Sequence, residues 1–148
     1  MQSEALQDYV KNIYMLQAGD GRATTSGVAE RLGVSAASAT AMFKKLAEAG
    51  LVEHRPYHGA VLTDAGERMA VEVLRHHRLL ELYLTQALGM PWETVHGEAD
   101  RLEHVLSEEL EARIDESLGF PTHDPHGDPI PDANLEWPAE RTLRVRST

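Results

Sequence analysis

The chain has 148 residues, 42% of them hydrophobic and 26% charged, enough for one compact domain or two small ones sharing a core. It has no cysteine, which excludes disulfides and thiolate metal sites and leaves any bound ion to carboxylate and imidazole ligands. The net charge of −10 would argue against a nucleic-acid partner, but it is uneven: residues 1–64 hold six Lys/Arg against seven Asp/Glu, a net −1, and the remaining 84 hold eight against seventeen, a net −9.

The N-terminus MQSEALQDYV lacks the basic, then apolar, then small-residue order of a signal peptide, and no run of about 18 apolar residues follows, so a cytoplasmic protein is expected. A first helix is predicted from about Ser3 to Leu16, with Leu6, Val10, Ile13 and Tyr14 at helical spacing and Asp8 and Lys11 pointing elsewhere; Gly19 and Gly21 end it. In the next stretch Thr25 and Ser35 can each cap a helix, with Gly33-Val34 as the turn between them, which is a helix-turn-helix pattern. Gly50 stops the second of these helices. LVEHR and AVLT then read as short strands joined by a turn at Pro56, Tyr57, His58 and Gly59, completing a winged helix-turn-helix.

Thr63, Asp64 and Glu67 open a long helix to about Leu88, their acidity suiting the positive end of the helix dipole, and Gly89 closes it. Pro91 starts a further helix at a first-turn position, and Ser107 caps another that ends at Leu118-Gly119. From Pro121 the chain carries five of its seven prolines and reads as a linker, and TLRVRST begins a strand-like alternation. The expected fold class is mainly α, with a DNA-binding domain over residues 1–64, a helical domain over 65–120 and a Pro-rich linker or tail over 121–148.

Two stretches carry chemistry. Near the start of the second helix of the helix-turn-helix, Ser35, Ala36, Ala37, Ser38 and Thr40 offer small side chains and hydroxyls for close approach to a groove, and Lys44 and Lys45 supply phosphate charge. The same fold can instead bind protein. With no Arg, Asn or Gln at the tip, base readout is expected to be sparse, with shape, methyl contacts or water carrying part of it.

The second stretch is VHGEADRLEHVLSEEL. At about 100° per residue, His96, Asp100, Glu103 and His104 share one face, while Ala99, Leu102, Leu106 and Leu110 line the face beside it. A merely solvated face would alternate in sign and place lysines four residues from glutamates, but only Arg101 interrupts the cluster, and it points away. The preceding helix adds His77 and Glu81 at i, i+4 beside Leu74, Leu80 and Leu84. A lone His77 would read as an ordinary buried histidine. Beside four further candidates it points to a metal site.

VHGEADRLEHVLSEELE, with RHHRLLE, NIYML and HGDPIP, resembles the diphtheria toxin repressor family of metal-dependent transcriptional regulators, from residue 3 to about 131. The resemblance implies a winged-helix DNA-binding domain, a helical domain that dimerises and binds metal, and two metal sites at their junction. Its primary site falls on Asp8, Asp100, Glu103 and His104, and its ancillary site on His77, Glu81 and His96. Iron-type members carry Met and Cys where this chain has Asp8 and Asp100, so the primary site is closer to the manganese transport regulator branch, and harder oxygen ligands suit Mn²⁺. Lys11 stands where that branch has a second carboxylate, and the ancillary histidines follow the iron type, so the ligand set is a hybrid. An SH3-like third domain of longer relatives is missing, and LRVRST could be its first strand.

The expected function is a homodimeric repressor of metal-ion homeostasis, activated by Mn²⁺ or Fe²⁺ as corepressor and binding a palindromic operator on double-stranded DNA, with no membrane partner. Co²⁺, Zn²⁺ and Cd²⁺ are expected to bind in vitro. Two rivals come from other classes. A winged-helix regulator answering to a small organic ligand would leave the acidic face merely solvated. A metalloenzyme would need H-E-x-x-H, which is absent, or E-x-x-H on two helices, which only Glu93 and His96 match, so no enzyme is expected.

Overall fold

A computed structural model of the chain describes residues 4–19, 22–55 and 59–139, which fall into two compact units, Met1–Val71 and Glu72–Thr148. The hairpin turn expected at Pro56, Tyr57 and His58 and the alternation TLRVRST lie outside the described residues.

In the first unit, α1 spans Glu4–Gly19 and buries Tyr9, Val10 and Ile13, with Leu6 and Tyr14 half-buried against the same core. The helix-turn-helix follows as α2 (Thr25–Leu32) and α3 (Ala36–Glu48). Its first cap is Thr24 rather than the expected Thr25: the Thr24 hydroxyl accepts the Gly27 N–H, which makes Thr25 the first helical residue. Ser35 caps α3 as expected, accepting the Ser38 N–H. Gly33 takes the left-handed conformation at φ 68°, which lets α2 end abruptly and the chain turn into α3.

Strands β1 (Val52–Arg55) and β2 (Gly59–Leu62) pair antiparallel, with Val52 opposite Leu62 and Arg55 opposite Gly59. Val28, Ala39, Leu46, Val52 and Ala60 close the core under this wing. Two glycines permit close backbone approach. At Gly59, with φ 76°, a Cβ would lie 2.7 Å from the Ala23 carbonyl oxygen, and at Gly66 it would lie 2.1 Å from that of Leu51. Gly66→Ala is therefore expected to cost about 1–3 kcal/mol through overpacking against a main-chain group that cannot rotate away. Chemical denaturation should read it as a lower midpoint, and an unchanged midpoint would mean that the first turn of the following helix shifts freely.

Helix α4 (Asp64–Leu88) crosses the division between the units. The Thr63 hydroxyl accepts the Gly66 N–H at its start, and Gly89, at φ 64°, closes its end. Within the second unit α4 is covered on nearly every side: Leu74, Leu79, Leu80, Leu82 and Leu84 are buried, and so are Arg75, His77, Arg78 and Glu81. Helices α5 (Trp92–Leu102) and α6 (Glu108–Ser117) follow, the latter capped by Ser107, whose hydroxyl accepts the Leu110 N–H. Pro91 stands at the cap position of α5, one residue before its first turn.

Two expectations are corrected in this unit. Helix α5 ends at Leu102, so the apolar stripe expected through Leu110 is cut: Val95 and Ala99 are buried, but Leu102 and Leu110 are exposed, because the turn at 103–107 resets the helical phase. The stretch from Pro121 is not a free linker. Arg75 and Arg78 donate to the carbonyls of Pro131 and Pro129, each at 2.8 Å, Ile130 packs among Leu79, Leu82 and Leu118, and the Arg78 guanidinium lies 5.9 Å from the centre of the Trp137 ring. Buried guanidinium groups need acceptors, and the carbonyls of Pro129 and Pro131 lie outside any helix or named strand, so α4 and this segment satisfy one another.

Candidate metal centre

Helix α4 contributes His77 and Glu81 one turn apart on its buried surface. Helix α5 brings His96 and Asp100, also one turn apart, and Glu103 at its C-cap; His104 follows in the turn. The structure joins them into a connected run. His77 Nδ1 lies 2.5 Å from Glu103 Oε1 and 3.3 Å from Asp100 Oδ1, and His77 Nε2 lies 3.1 Å from Glu81 Oε2. His96 Nδ1 is 2.9 Å from Glu81 Oε2, and its Nε2 is 3.5 Å from Asp100 Oδ2. His104 Nε2 is 3.6 Å from Glu103 Oε2. Arg101, the one cation in the run, pairs with Glu98 instead.

Two further residues join this run that the sequence reading had placed in a linker. Asp124 is buried, with Oδ1 accepting the N–H groups of His126 and Asp128, which fixes a tight turn. His126 Nδ1 then lies 3.6 Å from Glu81 Oε1 and 3.9 Å from Asp124 Oδ2, and its ring lies against Trp92, centre to centre 4.1 Å and tilted by 44°. Glu81, Asp124 and His126 therefore have ligand atoms close enough for one ion, as do His77, His96 and Asp100. The signal available in the sequence was HDPHGD, five Asp/His/Gly residues around a proline, whose metal-capable content was outweighed by the prolines flanking it.

Burial alone would raise the Glu81 pKa, but hydrogen bonds from His77 and His96 and their charge outweigh it and hold the carboxyl at about 2. Glu81 is thus a carboxylate throughout the physiological range, held by groups that an ion can replace. Burial pushes Asp124 up, against the two backbone N–H groups that stabilise its charge. The donor set of carboxylate oxygens and imidazole nitrogens, with no sulfur, fits a divalent ion of the harder or borderline kind.

Asp8 lies on α1 in the first unit, half-buried, with its carbonyl accepting from Asn12 Nδ2 at 2.7 Å. On α3, Ala36, Ala37, Ser38, Thr40, Lys44 and Lys45 are all exposed, as is the cap residue Ser35. The hydroxyls of Ser35 and Ser38 lie 3.0 Å apart in the cap itself, so these two side chains order the helix start that Thr40 and the lysines extend.

A winged helix-turn-helix leading into a helical unit with a buried run of carboxylates and imidazoles is the architecture of a DNA-binding domain followed by a domain with metal-capable side chains. Comparison with known families narrows this: the N-terminal DNA-binding domain of iron dependent repressors matches residues 1–60, and their metal binding and dimerisation domain matches residues 63–132. The chain belongs to this iron-dependent repressor family.

Among its relatives, the iron-dependent repressor IdeR of Mycobacterium tuberculosis is 37% identical over 123 residues, covering 83% of this chain and 54% of that protein. An uncharacterized HTH-type transcriptional regulator of Methanocaldococcus jannaschii is 34% identical over 113 residues, covering 76% of this chain and 90% of that protein. Among solved structures, a manganese-dependent transcriptional repressor in complex with manganese superposes with a TM-score of 0.84 at 49% identity, covering 90% of this chain and 62% of that one. ScaR, solved with Zn²⁺ and with Cd²⁺, is 35% identical. The chain spans a little over half the length of the IdeR relatives. Among the described residues no helix is long and apolar enough to cross a membrane.

Proposed function

We propose that this chain is a homodimeric repressor that binds a palindromic operator when Mn²⁺ is bound, with Fe²⁺ competing for the same ligands. The observation that carries this reading is the run of oxygen and imidazole donors centred on His77 and Glu81, which has no sulfur and continues into the 124–126 turn. Support for the choice of ion comes from Asp100, a hard carboxylate ligand, and from the similarity to a manganese-dependent repressor at 49% identity.

In this reading Asp100, Glu103 and His104 hold the primary ion together with Asp8 of the DNA-binding unit. Glu81 holds the ancillary one: its Oε2 faces His77 and His96, and its Oε1 faces His126, which Asp124 orients. The ions would supply positive charge to a cluster rich in carboxylates, whose like charges otherwise disfavour one another. Ligands drawn from both units bias the spacing of paired α3 helices towards the half-sites of an operator, where Ser35, Ala37, Ser38 and Thr40 meet the groove and Lys44 and Lys45 meet phosphates. Ion binding also offsets part of the −9 charge that the chain beyond residue 64 would bring towards DNA.

Fluorescence anisotropy of a labelled palindromic duplex, first with chelator and then with Mn²⁺, tests this. Affinity is expected to rise by about tenfold or more, a free-energy difference of about 1.4 kcal/mol. Equal binding in the two conditions would remove the corepressor role.

A further inference from the structure

His76 and His77 are neighbours on α4, and both meet the same residue. His77 takes the Glu103 carboxylate, whereas His76 Nδ1 lies 3.1 Å from the Glu103 main-chain oxygen. Glu103 is the C-cap of α5, a position where carbonyls lose their helical partners and need one from outside. The other ring nitrogen, His76 Nε2, lies 2.8 Å from Glu111 Oε2 on α6. Each ring nitrogen of His76 thus faces an oxygen acceptor, one on the turn after α5 and one on α6.

Glu111 is gripped in turn by Arg75, whose Nε is 3.3 Å away, while Arg75 Nη2 donates to Asp115 Oδ2 at 3.1 Å. These side chains are only 4–14% exposed, and acidic and basic groups alternate from Asp115 through Arg75 and Glu111 to His76. With Glu111 Oε2 within ion-pair distance of both Arg75 and His76, this largely buried network holds its members close together.

The Glu103 oxygen belongs to the planar peptide unit that joins Glu103 to His104. Fixing that oxygen fixes the plane from which both side chains spring, and these are two of the ligands named above. We propose that His76 is a positioning residue for the metal centre: it pins the Glu103–His104 peptide to α6 through Glu111, so that the two side chains are held in place before an ion arrives. This inference rests on the reading of Glu103 and His104 as ligands. Pre-organised ligands bind more tightly than ligands that must be ordered on binding, because the ordering cost is already met in folding.

The test uses the full chain and compares wild type, His76→Ala and His76→Asn by calorimetric titration with Mn²⁺. Asparagine places an amide N–H near the position of Nδ1, so it keeps the bond to the carbonyl and loses the one to Glu111. His76→Ala is expected to weaken Mn²⁺ binding about tenfold, within the 10–100-fold range usual for groups that orient metal ligands, and His76→Asn to recover most of that loss. In the metal-free chain the Glu103 carbonyl ¹³C resonance should move in His76→Ala and return in His76→Asn, a signature that a general loss of packing would not restore. Wild-type affinity in His76→Ala, an equal loss in both variants, or an unmoved carbonyl resonance would each overturn the positioning role. Failure of the wild type to take up Mn²⁺ would overturn the metal reading instead, and would be seen before any variant is compared.

Discussion

Asp8→Ala is expected to abolish the part of operator binding that depends on Mn²⁺, leaving the affinity measured with chelator. Asp8 stands on α1, in the DNA-binding unit, whereas Asp100, Glu103 and His104 stand on α5 and the turn after it. On the proposed ligand set, an ion without Asp8 would keep three ligands, all from one unit, and its binding would no longer distinguish one arrangement of the two units from another. A ligand with no differential affinity shifts no equilibrium, however tightly it binds. The dimer should persist, because α4, α5 and α6 are unaltered. Anisotropy with and without Mn²⁺ reads the first effect and sedimentation the second. Retained stimulation would remove Asp8 from the primary site, and loss of the dimer would assign α1 a structural role.

Glu103→Gln is expected to separate stability from metal binding. The Glu103 side chain is fully buried against His77, where an ionised carboxylate needs a positive partner. Glutamine keeps the shape and can still hydrogen-bond to the imidazole, but it has no charge to offer an ion. Mn²⁺ affinity should fall by about a hundredfold, equivalent to about 2.7 kcal/mol. The metal-free melting temperature should hold or rise slightly, because Glu81 and Asp100 still lie 3.1 and 3.3 Å from the His77 ring nitrogens, so the change relieves crowding among carboxylates without stripping His77 of its acidic partners. The rise in melting temperature on adding Mn²⁺, worth about 2.7 kcal/mol at a hundredfold excess over Kd, should then largely disappear. An undiminished rise would show that the ion does not use Glu103.

The helix boundaries and the wing were legible because their signals are local. Ser35 and Ser107 cap helices in any context that leaves the next amides free, and Gly33, Gly89 and Gly119 adopt positive φ at helix ends because they carry no Cβ. Most of the metal-capable residues were legible for a related reason: the pairs His77 with Glu81 and His96 with Asp100 repeat at one helical turn, which places each pair on one face. Adjacent candidates were harder. Thr24 and Thr25 both suit a cap, and only the geometry of the Gly27 amide distinguishes them. Periodicity also overreached, since running one apolar face from Ala99 through Leu102 and Leu106 to Leu110 assumed an unbroken phase that the turn at 103–107 interrupts.

What the sequence determined by itself was the set of donors: no cysteine, an excess of carboxylates beyond residue 64, and histidines at helical spacing, which together limit the chemistry to oxygen and nitrogen ligation. Only the tertiary structure decided how those donors are grouped. Asp124 and His126 are more than 40 residues from Glu81, and they reach it because Arg75 and Arg78 draw a proline-rich segment back along α4 by its carbonyls. Nothing in that segment's composition reports this, because the two arginines that capture it lie on another element, and prolines that make a stretch look unstructured also leave its carbonyls available. The part played by His76 is hidden in the same way: it depends on a main-chain oxygen, which every residue possesses, coming to lie beside one particular imidazole.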